Sequence, residues 1–91
     1  MDYLMLITYS FDTDYVAKPC ATESEAIAEL NKYLNKEIET IEVECEYTPI
    51  VVRYNEEEVM LVYTNEKWWR LLEEKPDTAT YKVIEIGHNV A

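Results

Sequence analysis

The distribution of apolar residues predicts a strand hairpin at the start of the chain. Residues 3–11 are apolar on both alternating faces, which is typical of a strand that lies inside a sheet. Residues 12–14, Asp-Thr-Asp, indicate a turn, and residues 15–17 indicate a short return strand that ends at Pro19. We therefore expect a central first strand with a short partner beside it.

A helix is predicted next, from a start signal and from a change of period. Residues 22–25 match a capping box, in which the Thr22 hydroxyl accepts from the Glu25 amide and the Glu25 carboxylate reaches back to the Thr22 amide. The apolar positions that follow recur at helical spacing and are Ala26, Ile27, Leu30, Tyr33 and Leu34. Acidic residues early in this segment and lysines late in it complement the helix dipole, so the helix is expected to end near Lys36.

Alternation with a period of two resumes after this helix. In residues 41–47 one set of side chains is apolar or aromatic and the other is acidic, which is the pattern of a half-buried strand. The first set is Ile41, Val43, Cys45 and Tyr47, and the second is Glu42, Glu44 and Glu46. Residues 50–54 and 59–63, joined by the polar turn 55–58, predict two more strands, so that the three form an antiparallel meander.

The remaining segments complete an α+β fold. Residues 81–86 predict a last strand, and residues 66–74 fit a short helix slightly better than a strand, because Leu71 and Leu72 lie three residues after two tryptophans. The order β(β)αβββ(α)β gives a single antiparallel or mixed sheet of about five strands with one main helix packed on one face. The 91 residues fit one domain, 1–91, and leave open what covers the other face.

The charge balance restricts the class of partner. Eight Lys and Arg residues against 19 Asp and Glu residues give a formal net charge of −11. This charge disfavours direct binding to nucleic acid or to an anionic membrane and favours a basic surface on another protein. The alternative is that the acidic residues only keep an aromatic-rich chain soluble.

The two cysteines and the first residues indicate a cytoplasmic protein. Cys20 and Cys45 are interpreted as free thiols, with Cys45 facing inward beside Val43, because one bridge falls short of the dense disulfide framework of small secreted domains. A signal peptide would carry Lys or Arg where Asp2 stands, and the apolar run 4–7 is too short for a membrane span.

Catalytic, cofactor and metal sites are not expected. The one histidine, His88, has no local cysteine partner and is interpreted as buried or frayed, and Gly87 as the sole glycine excludes a phosphate loop. Asp12 and Asp14 lack the other ligands of a calcium loop, and the chain has no plausible set of zinc ligands. The acidic residues of 41–47 are expected to be solvated, which makes them poor general acids. We therefore expect a non-enzymatic protein.

A row of glutamates is the first feature that suggests a function. Along the predicted strand, carboxylates on one face repeat at about 6.6 Å, a spacing comparable to that of phosphates along a nucleic-acid strand. The row contains Glu37, Glu39, Glu42, Glu44 and Glu46 and continues in the turn with Glu56, Glu57 and Glu58. It is a candidate partner-binding surface, and the alternative is a solvated sheet face or an edge kept charged against aggregation.

The second feature is the sequence Trp68-Trp69-Arg70. Adjacent residues point in different directions in a helix and to opposite faces of a strand, so at least one indole is expected to be partly exposed. Trp and Arg are enriched at binding hot spots, which makes these three residues candidate partner contacts. The alternative is a tryptophan that lies over the edge of a thin core.

The opening of the chain resembles that of known small proteins. Residues 3–12, Tyr-Leu-Met-Leu-Ile-Thr-Tyr-Ser-Phe-Asp, a short strand, and residues 22–26, Thr-Glu-Ser-Glu-Ala, are similar to the start of small uncharacterised proteins encoded by bacteria and their phages. The resemblance covers roughly the first third of the chain. That group has no established activity, so the resemblance transfers no site residue and implies only a small accessory protein of the kind that phages carry.

These observations favour a non-enzymatic acidic module that binds the basic surface of another protein. Its sharpest form is a nucleic-acid mimic that inhibits a nuclease or another nucleic-acid-binding protein, as phage inhibitors of restriction or CRISPR effectors do. One alternative is a homo-oligomer that forms through the uncovered sheet face or an exposed strand edge. Another is a small ligand-binding protein with a carboxylate beneath aromatic side chains.

Overall fold

A computed structural model describes residues 2–87 and has an α+β fold. The strands are β1 (Asp2–Tyr9), β2 (Tyr15–Cys20), β3 (Ile50–Asn55), β4 (Glu58–Val62) and β5 (Thr78–Ile86). The main helix is α1 (Glu23–Thr40), which continues as a π-helical turn (Ile41–Cys45), and a 3₁₀ turn (Trp69–Leu71) lies between β4 and β5. His88, interpreted above as buried or frayed, lies outside the described residues.

The five strands form one antiparallel sheet in the order β2-β1-β5-β4-β3. β1 lies between two neighbours, with Ile7 opposite Val16 on one side and Tyr81 on the other, which confirms that it is interior. The predicted turn after it is also present, because the Asp14 amide donates to the Asp12 carboxylate at 3.0 Å. Pro19 lies in β2, an edge strand, where a missing donor is tolerated.

The start of α1 follows the predicted capping box with one change. The Glu25 amide donates to the Thr22 hydroxyl at 3.1 Å, as expected. The Glu25 carboxylate accepts instead from the amide of Ala21, at 3.1 Å. One helix donor that has no intrahelical partner, the Glu25 amide, and the amide of Ala21 before the N-cap are thereby satisfied.

The hydrophobic core lies between α1 and one face of the sheet. The helix buries Ala26, Leu30 and Leu34, which are among the apolar positions predicted for its inner face. The sheet contributes Met5, Ile7, Val59, Leu61, Ala79 and Tyr81. None of the helices in the described part of the chain combines the length and the apolarity that a membrane crossing requires.

The prediction that residues 41–47 form a strand is wrong. α1 passes Lys36, where it was expected to end, and helical structure continues to Cys45, where Glu46 adopts a left-handed conformation with φ of 59°. Ile41 lies seven residues after Leu34, so it continues the buried stripe of the helix, and it is buried. Glutamate also favours helix over strand.

The same correction applies to Cys45. It was expected to face inward with Val43, but both side chains are exposed, and Val43 is 71% exposed. The cause is the change of period, because alternate residues do not share one face of a helix. Cys20 and Cys45 are both free, as expected, and Cys20 is buried.

α1 runs along the sheet from one end of the molecule to the other. At its start, the carboxylate of Glu23 interacts with that of Glu57 in the turn between β3 and β4. Near its other end, Glu37 accepts a hydrogen bond from Tyr63, which follows β4. We call the end with the β3–β4 turn the lower end and the opposite end the upper end.

Candidate functional site

Four glutamates meet at the lower end, and we call them the lower acidic cluster: Glu23, Glu56, Glu57 and Glu85. The first begins α1, the next two form the β3–β4 turn, and the last belongs to β5. The Asn55 side chain fixes the turn by accepting from the Glu57 amide at 2.7 Å. Sequence analysis found Glu56 and Glu57 but missed Glu23 and Glu85, which only the folded chain brings to them.

Repulsion within the lower acidic cluster raises the pKa of Glu23. The negative charge of Glu57 is the main cause that raises the pKa of Glu23, followed by a side-chain hydrogen bond between the two carboxyl groups. Glu85 and Glu56 act in the same direction. Like charges are thus held close together at neutral pH, where a cation from outside would relieve their repulsion.

The other predicted glutamates lie at the upper end and do not form a row. Glu42, Glu44 and Glu46 are exposed on the π-helical turn or directly after it. The Glu42 carboxylate accepts from the Thr48 hydroxyl at 3.0 Å. Because these residues are not on a strand, the repeat of about 6.6 Å that they were expected to show is absent.

The structure therefore divides the predicted acidic surface into two parts. With a rise of about 1.5 Å per residue, Glu42 lies about 28 Å along the helix from Glu23 and from the lower acidic cluster. Glu58 belongs to neither part. Its side chain stands on β4 and forms a half-exposed ion pair with Lys82 on β5, at 3.7 Å.

The tryptophan segment lies between β4 and β5, after the upper end of β4. Trp68 is 67% exposed and Leu71 is 80% exposed, so the prediction that at least one indole is partly exposed is confirmed. The Arg70 guanidinium lies 4.7 Å from the ring centre of Trp69, and the Lys67 ammonium lies 5.6 Å from that of Trp68. Each indole is thus held beside a cation, and Trp68 is the more exposed of the two.

Comparison of the chain with family models, with curated proteins and with solved structures finds no match.

Within residues 2–87, no group of three or more His, Cys, Asp or Glu side chains is arranged to hold a metal ion. Burial is the main cause that raises the pKa of the Cys20 thiol, and a raised pKa lowers the share of the nucleophilic thiolate.

An aromatic cluster surrounds Glu37 near the upper end of α1. Its carboxylate accepts from the Tyr63 hydroxyl at 2.9 Å, and the Phe11 ring lies 5.6 Å from that of Tyr63 and 5.3 Å from that of Tyr9. Burial and the proximity of Glu37 raise the pKa of both Tyr63 and Tyr81 far above the usual value. These phenols are neutral donors at physiological pH.

A cavity of about 300 Å³ opens beside this cluster, between α1 and the sheet. Tyr9, Tyr33, Glu37 and Tyr81 are among the residues that line it. The sequence analysis missed Glu37 as part of an aromatic site because it ended the helix near Lys36. A helical stripe extended from Leu34 to Ile41 would have placed Glu37 on the sheet side.

The sheet face that points away from α1 is largely apolar, and we call it the open face. The strand registers place on it the alternate residues that do not point to the helix. The apolar members that keep some exposure are Leu4, Leu6, Tyr15, Ala17, Pro19, Ile50, Val52, Met60, Ile84 and Ile86, whereas Val62 on the same face is fully buried. Tyr15 is 66% exposed, and the two isoleucines of β5 are each 39% exposed.

Proposed function

We propose that this protein is a non-enzymatic acidic module that binds a basic surface of another protein. The observation that carries the proposal is the small number of internal ion pairs. Among residues 2–87 the structure has two of them, Lys18 with Glu29 and Lys82 with Glu58, in a chain with a formal net charge of −11. Most of the negative potential is thus directed to the solvent, where it attracts basic surfaces.

The lower acidic cluster supports the proposal as the strongest local concentration of this charge. Repulsion from neighbouring carboxylates raises the pKa of Glu23, and a positive charge placed beside the cluster would relieve that repulsion. A lysine or arginine of a partner supplies such a charge. The turn residues Glu56 and Glu57 are exposed and stand at the end of the molecule, within reach of a flat surface or a groove.

The tryptophan segment supplies the apolar contact that such an interface needs. Exposed charges accelerate association, whereas buried aromatic groups slow dissociation. Trp68 and Leu71 combine high exposure with an apolar surface. We therefore assign the anchoring contact to this segment and the steering of the encounter to the acidic residues.

In its sharper form the proposal makes the protein a nucleic-acid mimic that inhibits a nuclease or another nucleic-acid-binding protein. The row of carboxylates on a strand is absent, so this form is supported by the net charge and by the exposure of the acidic residues. Competition with nucleic acid distinguishes a mimic from a module that binds elsewhere on the partner. A mimic is displaced from its partner by nucleic acid, and a module that binds elsewhere on a basic protein is not.

Affinity capture with three charge variants tests the proposal. The tagged protein is incubated with lysate at about 50 mM and about 500 mM salt, because this increase shortens the Debye length about threefold and weakens attraction between exposed charges. One variant replaces Glu23, Glu56 and Glu57 by Gln and another replaces Glu42, Glu44 and Glu46. The control replaces Glu73 and Glu74, which are exposed between β4 and β5.

The expected result is one or a few basic proteins that are captured at low salt and released at high salt. At least one of the two triple variants should capture them less well than the control. Capture that is unaffected by salt and by all three variants would contradict the proposal.

A second candidate function is the binding of a small ligand, and the cavity beside Glu37 favours it. Its volume of about 300 Å³ is at the lower limit for ligand pockets. Aromatic rings around one carboxylate suit a small organic cation. A thermal-shift screen of small amines should then raise the unfolding midpoint of the wild type and leave that of Glu37→Gln unchanged, whereas equal shifts in both would exclude this cavity.

A further inference from the structure

The acidic residues are distributed unevenly between the surfaces of the molecule. Of the 19 Asp and Glu residues, only Asp2 and Glu58 occupy outward strand positions on the open face, where Lys82 supplies a positive charge. The other acidic residues lie on α1, on the loops and turns, and on the helix side of the sheet. The strand positions of the open face therefore combine apolar side chains with little net charge.

The charges on the open face have a self-complementary arrangement. Lys82 is the middle outward residue of β5, which is the middle strand of the sheet, and Glu58 is its partner across the ladder on β4. The two side chains form a half-exposed ion pair at 3.7 Å. A two-fold axis that runs along the strands between β4 and β5 would place Lys82 of each copy opposite Glu58 of the other.

We propose that two copies of this chain pack open face to open face about such an axis. The apolar residues Leu4, Leu6, Met60 and Ile84 then surround a ring of four alternating charges. Each copy keeps its lower acidic cluster and its upper glutamates directed outward, so the dimer presents two acidic binding surfaces. A basic partner is drawn to those surfaces by charge, whereas the open face, whose strand positions carry little net charge, suits the same face of a second copy.

The available area is sufficient for a weak dimer. Four overlapping strands, spaced about 4.8 Å apart and about 20 Å long, give a footprint near 400 Å² per copy. The pair then removes about 800 Å² from water, which lies below the standard size of a specific interface and in the range of weak ones.

Salt should affect this dimer and the proposed docking on a basic protein in opposite directions. Two copies with a formal charge of −11 each repel one another, and screening of this repulsion strengthens their association. Attraction between an acidic module and a basic surface is weakened by the same screening. The two interactions are therefore separable in one salt titration.

Analytical ultracentrifugation of two charge-reversal variants tests the proposal. At about 0.5 M salt the wild type should dimerise with a dissociation constant on the order of 10 µM. Lys82→Glu and Glu58→Lys should each weaken self-association at least tenfold, because every face-to-face charge contact becomes repulsive. An equimolar mixture of the two should recover a dimer, because each variant offers the charge that the other lacks.

A matched control is available on the helix side of the sheet. Lys18→Glu is a charge reversal like Lys82→Glu, and it removes the ion pair with Glu29. It should leave the dimer unchanged. Circular dichroism of each variant checks that the fold is retained. A wild type that stays monomeric up to about 300 µM, far above the expected dissociation constant, would overturn the proposal. A mixture no more associated than its components would also overturn it.

Discussion

At the scale of single residues, the proton affinity of Glu23 reports how closely the lower acidic cluster is packed. Its pKa is raised, so the folded state holds this proton more tightly than the unfolded chain does. Protonation of Glu23 stabilises the folded state fully at pH values below the ordinary glutamate pKa of 4.5. This stabilisation is lost as the pH rises through the raised pKa of Glu23. At neutral pH the cluster therefore destabilises the fold.

The substitution Glu57→Gln should raise stability at pH 7 and leave it little changed at pH 4, because it removes the main source of repulsion and keeps a hydrogen-bonding side chain. Urea unfolding at both pH values measures the difference. Glu74→Gln, which removes the same charge from an exposed position, should change stability less at pH 7. A destabilised Glu57→Gln variant would show that the carboxylates do not repel one another.

Trp68 is the largest of the apolar side chains that are mostly exposed. Trp68→Ala should change the free energy of unfolding by less than about 0.5 kcal/mol, because the indole is 67% exposed. Its effect should appear in binding, where a hot-spot residue costs at least about 2 kcal/mol through faster dissociation. Dissociation rates from the captured partner provide the test. An unchanged rate for both Trp68→Ala and Trp69→Ala would remove the tryptophan segment from the interface.

At the scale of elements, α1 depends on a local start signal and on a buried stripe. Thr22→Ala should cost about 1 kcal/mol, because one helix donor loses its acceptor. Leu30→Ala should cost about 2–5 kcal/mol, because Leu30 is completely buried and its removal leaves a cavity. Denaturant midpoints of the two variants should follow that order, and the reverse order would place the wrong face of α1 in the core.

The π-helical extension of α1 can be tested with two neighbouring apolar residues. Ile41→Ala should destabilise the protein by about 2–4 kcal/mol, because its side chain is buried in the core cluster. Val43→Ala should change stability by less than about 0.5 kcal/mol, because Val43 is 71% exposed. Equal costs for both residues would instead support a strand in which they share one face.

Local patterns explain which elements the sequence could predict. The interior strand β1, the capping box at Thr22 and the β3–β4 hairpin each have a signal within a few residues, and all three are present. Residues 41–45 satisfy both periods, because Ile41 lies on the stripe of a helix and on one face of a strand. Tertiary packing of Ile41 decided between them, and short-range periodicity contains no information about that contact.

The residue types of the candidate site were predictable from the sequence, but their arrangement in space was not. The acidic residues and the tryptophans were identified from residue type, and the exposure of at least one indole followed from the adjacency of Trp68 and Trp69. The grouping of Glu23 with Glu57 and Glu85 depends on contacts between distant segments, which no local pattern contains. The separation of Glu42 from that group depends on the length of α1.

At the scale of the whole molecule, charge and apolar surface occupy different regions. The acidic residues are concentrated at the ends and on the helix side, and the open face holds apolar side chains around one ion pair. The two proposed interactions use this separation. The proposed docking on a basic protein relies on long-range charge, and the proposed pairing with a second copy relies on apolar burial.

The association rate with the captured partner, measured as a function of ionic strength, tests the acidic binding module most directly. We expect the rate to fall steeply as salt increases while the dissociation rate changes little, because charge accelerates the encounter. The variant with Gln at 23, 56 and 57, or the one with Gln at 42, 44 and 46, should associate more slowly and with a flatter salt dependence. An association rate that is independent of salt and equal in the wild type and both variants would contradict the account.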